Sequence, residues 1–168
     1  NATLAQLHGV DWRAAGLEDF GRAGGYVERQ VARWAKQYVE DTAAGRDPHM
    51  DRLVDWLPRH VPAGDETSVV HGDYRIDNVV FHPAEPRILA VLDWELSTLG
   101  HPLADFAYHC MTWRMPEGAH ARGLAGADFA ALGIPAEREY VAMYCKRTGR
   151  DRIDHFEYYL AYNMFRLA

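Results

Sequence analysis

Lysine is almost missing from this chain: of 18 basic residues among 168, only Lys36 and Lys146 are lysines, and the rest are arginine. That balance points to an Arg-favouring, GC-rich coding sequence, and it leaves few side chains for any task that calls for a compact ammonium charge. Cysteine is equally scarce. Cys110 and Cys145 both sit in helix-like sequence without C-x-x-C spacing, which excludes a disulfide framework or a zinc site and reads as two buried, reduced thiols. Long apolar runs are absent as well. The longest, residues 88–92, falls far short of the roughly 20 residues a membrane span requires, and no basic-then-apolar leader opens the chain. Nor is there an excess of positive charge: the net charge of -6 excludes the clustered cations that a nucleic-acid or anionic-membrane surface demands. A soluble, cytoplasmic protein with neither of those partners is expected. The chain also lacks internal repeats and low-complexity tracts.

What remains is ordinary globular composition, 48% hydrophobic and 25% charged, enough for one domain with a real core. Helical periodicity dominates. Residues 2–8 read as the end of a helix stopped by Gly9. The clearest helix covers 26–42, where Val27, Val31, Trp34 and Tyr38 recur at steps of four, three and four. A second spans 50–60 and is closed by Pro62 and Gly64. The period then changes: residues 68–71, 78–81 and 88–92 are short, β-branched and bounded by turn residues, so the last two are expected to form a small hairpin behind a loop. Helices follow over 102–113, 135–147 and 153–167, with a glycine-rich loop across 115–126. Neither end carries a cap, so the chain reads as cut at both ends. The expected class is α+β, mostly helical, with one small β-hairpin.

The chemistry gathers at His71-Gly72-Asp73-Tyr74-Arg75-Ile76-Asp77-Asn78 and at Asp93-Trp94-Glu95. Asp73 and Asn78 stand five positions apart, the separation at which a kinase catalytic loop places its base and a metal-binding amide, and Asp93 follows a short strand pair, where such loops place a second metal ligand. Transfer of a phosphoryl group from ATP to an alcohol needs a carboxylate beside the hydroxyl, and Asp73 can supply it. Magnesium prefers hard oxygen donors and keeps waters, so one carboxylate and one amide oxygen, Asp93 and Asn78, suit it. His71 belongs to the catalytic loop, its ring bracing the backbone rather than moving protons. Arg75 can reach the transferring phosphate with its planar fork. An isolated H-G-D turn would equally be a solvated Asx turn; the joint pattern decides against that reading.

These motifs resemble those of the aminoglycoside phosphotransferase and choline kinase group of small-molecule kinases, whose H-G-D-x-x-x-x-N and D-W/F-E/D signatures match His71 to Asn78 and Asp93 to Glu95. Three further stretches, HGDYRIDNVVFHP, EPRILAVLDWELSTLGHPLADFAY and GGYVERQVARW, look like the phosphotransferase domains fused to, or encoded beside, acyl-CoA dehydrogenases. The likeness covers nearly the whole chain. It implies Asp73 as catalytic base, Asn78 and Asp93 as Mg²⁺ ligands at the ATP phosphates, Glu95 assisting a metal through water, and Asp105 bracing the catalytic loop from the following helix. It also implies the C-terminal, catalytic lobe of a protein-kinase-like fold, a functional link to an acyl-CoA dehydrogenase, and a hydroxylated acyl chain, such as a hydroxyacyl-CoA, as the alcohol acceptor; beside the resemblance, the loops near the site offer Arg75, His101, Trp113 and Arg114 as candidate contacts for its anionic groups.

Departures from protein kinases narrow the reading. Gly72 replaces the loop arginine that receives an activation-segment phosphate, and Glu95 replaces the flexible glycine of D-F-G. Neither lysine lies on a strand, and Gly21, Gly24 and Gly25 precede a helix rather than forming a phosphate-covering hairpin, so the N-terminal kinase lobe is expected to be missing from this segment and the segment alone to be inactive. Two other classes fit parts of the pattern. A metal-dependent phosphoesterase would use His71, Asp73, Asn78, His82 and Asp93 around two metals; an inactive kinase-like binding module would keep the fold without turnover.

Overall fold

A computed structural model of the chain describes residues 1–43, 45–117 and 123–168. The leucine spacing at the start forms α1 (Ala2–His8), with Leu4 fully buried. The strongest amphipathic stripe forms α2 (Tyr26–Glu40), which buries Val27 and Val31 and stops two residues short of expectation because Asp41 turns extended. Asp47 sets the start of α3 (Pro48–Trp56): its carboxylate accepts the His49 and Met50 N–H groups at 2.7 and 3.1 Å, ahead of a proline at the first helical position. A 3₁₀ turn, Leu57–Arg59, continues it.

Four short strands follow: β1 (Ser68–Val70), β2 (Val79–Phe81), β3 (Ile88–Val91) and β4 (Thr98–Gly100). The expected hairpin is β2–β3, antiparallel with Val79 opposite Val91 and Val80 opposite Ala90. β1 pairs instead with β4, Ser68 opposite Gly100, in a second antiparallel ladder whose later strand is too short to show a period in sequence. That ladder ties the two ends of the motif region together, and Ser97 Oγ adds a 2.7 Å hydrogen bond to the Val70 carbonyl.

Beyond the strands come α4 (Pro102–Cys110) with a 3₁₀ turn at Met111–Trp113, then α5 (Phe129–Leu132), α6 (Glu137–Thr148) and α7 (Phe156–Leu167). Residues 118–122 of the glycine-rich loop lie outside the described residues. α5 is a single turn not expected from periodicity; Asp128 caps it and Gly133, at φ +65°, ends it. Gly149 ends α6 in the left-handed conformation, as the sequence suggests. α7 begins three residues later than expected, because His155 takes φ +56° and no α-helix can pass through it.

The core lies where α4 runs against α7. α4 is apolar nearly all round and buries Leu103, Ala104, Phe106, Ala107 and Cys110. Phe106 stacks on Tyr144 of α6 at 3.8 Å between ring centroids. Each large side chain removed from water in this way contributes about 1.5–3 kcal/mol. Both cysteines are buried and free, as expected, and burial pushes the Cys110 thiol well above its usual range, so it is no thiolate. A smaller cluster of Trp12, Val69 and Leu99 covers the β1–β4 ladder. Among the described residues no helix is long and apolar enough to cross a membrane.

Candidate active site

The loop after β1 turns on Gly72. Its φ of +83° is open to glycine, and a Cβ there would sit 2.6 Å from the Leu96 carbonyl oxygen, so the strand end and the D-W-E turn approach as closely as they do only without a side chain. Beyond the glycine, the 3₁₀ turn Ile76–Asn78 brings Asn78 back to Asp73. Asn78 Nδ2 donates to the Asp73 carbonyl at 2.9 Å and to Asp73 Oδ2 at 3.0 Å. Both partners are acceptors, so the amide orientation follows: its nitrogen faces Asp73 and its Oδ1, which takes no hydrogen bond among the described residues, is left for another ligand.

Asp73 carries a second donor that the motif does not contain. The Tyr108 hydroxyl, from α4, donates to Asp73 Oδ1. Burial, followed by the neighbouring carboxylate, pushes the Tyr108 phenol up to about 12, so it keeps its proton at neutral pH. Arg75 lies beside the same carboxylate, its Nε 3.8 Å from Asp73 Oδ2 and its Nη2 3.6 Å from Asp77, with the side chain about half exposed.

The loop backbone is clamped from two helices. Asp105, buried in the first turn of α4, accepts the His71 N–H at 2.9 Å and the Gly72 N–H at 2.8 Å. His8 of α1 meets the same carboxylate at 3.1 Å while its other ring nitrogen meets the Tyr144 hydroxyl at 2.7 Å. Burial alone would raise the Asp105 carboxyl; the hydrogen bonds from His8, His71 and Gly72 outweigh it and hold the group below its ordinary value. From α7, Arg166 Nη2 donates to the Gly72 carbonyl at 2.8 Å. His71 itself is fully buried. Its Nε2 donates to the Leu92 carbonyl at 2.9 Å and its Nδ1 accepts the Asp73 N–H at 3.2 Å, so both ring nitrogens are spent on backbone.

Asp93 stands at the end of β3 with φ +62°, one of two non-glycine residues at positive φ among those described. Such a conformation in an acidic residue is costly and is sustained where neighbouring structure imposes it. Its carboxylate is exposed and takes no hydrogen bond or ion pair among the described residues, and Glu95, two residues on, is likewise exposed. Trp94 between them packs on His71 at 4.9 Å and anchors its indole N–H on the Val91 carbonyl at 2.8 Å. The donor set of one amide oxygen and exposed carboxylates, all oxygen, suits a hard cation such as Mg²⁺.

Three other sequence candidates are engaged elsewhere. His101 is buried as the N-cap of α4, accepts the Leu103 N–H at 3.3 Å and contacts Tyr159; burial lowers its basicity. Trp113 donates to the Pro135 carbonyl at 3.0 Å and packs on Tyr140. Arg114 is gripped by two carboxylates, Glu137 at 2.9 Å and Glu157 at 2.5 Å. None of these partners belongs to the Asp73 group. His82 pairs with Glu85 at 3.7 Å. Among the described residues no group of three or more His, Cys, Asp or Glu is placed to share a metal, and with His71 spent on backbone a two-metal hydrolytic centre finds no scaffold here. Tyr108, Arg166 and His8 escape sequence reasoning because the first two reach the loop, and the third reaches Asp105, from distant helices; the one local hint is the i, i+3 spacing of Asp105 and Tyr108.

In sequence and fold the chain is similar to known phosphotransferases. A profile of the phosphotransferase enzyme family matches residues 1–144. Acyl-CoA dehydrogenase family member 10 of Mus musculus is 46% identical over 170 residues, covering 100% of the chain and 16% of the relative. Acyl-CoA dehydrogenase family member 11 of Gallus gallus is 45% identical, covering 99% of the chain and 22% of the relative. A Ralstonia eutropha crystal structure, assigned as an aminoglycoside phosphotransferase, superposes with a TM-score of 0.93 at 54% identity, over 98% of this chain and 50% of that one. A type I macrolide 2′-phosphotransferase shares the fold, with a TM-score of 0.67 at 17% identity. The chain therefore spans half or less of each of these proteins.

Proposed function

This chain belongs to the phosphotransferase enzyme family, in a kinase-like fold of helices with two small antiparallel sheets, and from that premise we propose that it carries the base and metal half of an ATP-dependent small-molecule kinase site. The observation that carries the reading is the hold of Asn78 Nδ2 on Asp73, at 2.9 Å to the carbonyl and 3.0 Å to Oδ2, which sets a carboxylate base beside an amide oxygen free to bind a cation. In the transfer, the acceptor's hydroxyl oxygen attacks the γ-phosphorus, its proton passes to the Asp73 carboxylate, and the bond from phosphorus to the bridging oxygen breaks to release ADP. Asn78 Oδ1 and Asp93 would hold Mg²⁺, with Glu95 able to act through a water. When bound, the ion neutralises charge on the phosphate oxygens. Arg75, beside Asp73 and half exposed, is placed to contact the moving phosphate.

The parts that grip ATP are assigned to a second lobe outside this chain. Lys36 lies on α2 and Lys146 on α6, so neither is a strand lysine. Large apolar side chains stand open on and beside the hairpin, with Ile76, Phe81, Leu92, Trp94 and Leu96 between 43% and 71% exposed, a surface suited to a packed partner lobe and to a flat base. The relatives named acyl-CoA dehydrogenases support a hydroxylated acyl chain, of hydroxyacyl-CoA type, as acceptor and a functional link to such a dehydrogenase.

The test uses the intact protein. An ADP-release screen over aminoglycosides, choline-like alcohols, sugars and hydroxyacyl-CoAs should find a turned-over alcohol. Asp73→Asn should then abolish transfer while sparing ATP binding; undiminished turnover would remove Asp73 as the base.

A further inference from the structure

The two oxygens of Asp73 are held from different parts of the fold. Oδ2 takes Asn78 Nδ2 at 3.0 Å and faces Arg75 Nε at 3.8 Å, both from the loop itself. Oδ1 takes the Tyr108 hydroxyl, its one protein donor among the described residues. An aspartate carboxylate turns easily about its last torsion, so a donor on one oxygen leaves it a pivot, and donors on both fix it. Each oxygen still has a second lone pair for an incoming hydroxyl.

Tyr108 is itself fixed. It stands three residues after Asp105 on the same face of α4, so one helix face grips the loop twice, by Asp105 on the His71 and Gly72 N–H groups and by Tyr108 on the Asp73 side chain. The Arg166 guanidinium, tied to the Gly72 carbonyl at 2.8 Å, lies 5.0 Å from the centre of the Tyr108 ring. The ring is thus packed between helix and cation with its hydroxyl aimed at the carboxylate.

We propose that Tyr108 is a positioning residue that holds the Asp73 carboxylate in the rotamer that receives the acceptor's proton. The role rests on Asp73 being the base, as argued above. Without the phenol, Oδ1 has no protein donor, and the carboxylate swings toward the Arg75 cation on its other side.

Tyr108→Phe keeps the ring under Arg166 and removes only the hydroxyl. Crystal structures of the intact wild-type protein and of this variant should show Asp73 turned toward Arg75 in the variant alone. With the acceptor found in the screen, kcat should fall on the order of ten- to a hundredfold, the scale of a misplaced catalytic group, with KM for ATP within about twofold. A general loosening of the fold would instead lower the melting temperature and raise KM as well. An Asp73 rotamer unchanged in the variant overturns the proposal, and so does a displaced Asp73 with kcat unaltered. If the wild-type protein transfers phosphate to no alcohol, the kinase reading fails, whereas the pair of crystal structures still decides whether Tyr108 positions Asp73.

Discussion

Single side chains in this protein do more bracing than chemistry, and His109 shows how that bracing responds to pH. Its Nδ1 donates to the carbonyl of Tyr74 in the loop after β1 at 3.2 Å and its Nε2 accepts the Tyr140 hydroxyl at 2.8 Å. Burial lowers its pKa to about 4, so the folded protein holds it neutral where an unfolded chain would protonate it near 6.5. Between those values the unfolded state binds more protons, and stability must fall as pH falls, by at most about 1.4 kcal/mol per pH unit from this group. Urea unfolding at pH 7 and pH 5 should show a smaller acid loss for His109→Gln than for the wild type; equal losses would mean that other groups dominate. Legibility was uneven at this scale. Asp73, Asn78 and Asp93 stand out because their spacing is local and chemical. His101, Trp113 and Arg114 look like acceptor contacts by type, but a cap, a carbonyl and two glutamates from other elements claim them.

At the level of elements, α4 against α7 is the seam on which the site is built. Asn163 of α7, fully buried, donates to the Ala104 carbonyl of α4 and to the Tyr159 carbonyl of its own helix, both at 2.8 Å. Asn163→Val removes those two bonds at similar size and should lower unfolding stability by about 1–2 kcal/mol. An unchanged denaturation midpoint would show that apolar packing alone holds the seam. Apart from the single turn of α5, the helices were readable from period and stop signals to within a few residues, and so was the β2–β3 hairpin. β4 was not, since three residues carry no period and its partner β1 lies far back in the chain. The start of α7 was misplaced because nothing local marks His155 for a left-handed conformation.

For the molecule as a whole, the open apolar side chains beside the hairpin and the lack of a strand lysine lead to the same expectation: nucleotide is held mostly by a second lobe. Residues 1–168 expressed alone should bind Mg²⁺·ATP at least about tenfold more weakly than the intact protein, a loss of roughly 1.4 kcal/mol or more by calorimetry. Equal affinity would place the whole nucleotide site in this segment. The sequence by itself determined the helical class, the hairpin and the pairing of Asp73 with Asn78, because hydrophobic period and a five-residue spacing are properties of neighbouring residues. Asp105 as a brace on the loop and the backbone role of the His71 ring were expected before the fold was known; only the tertiary structure decided that Tyr108 adds a second grip from α4, that His8 closes on Asp105, and that Arg166 closes on the loop. Those three contacts span between 35 and 97 positions, and no local pattern encodes a partner that distant.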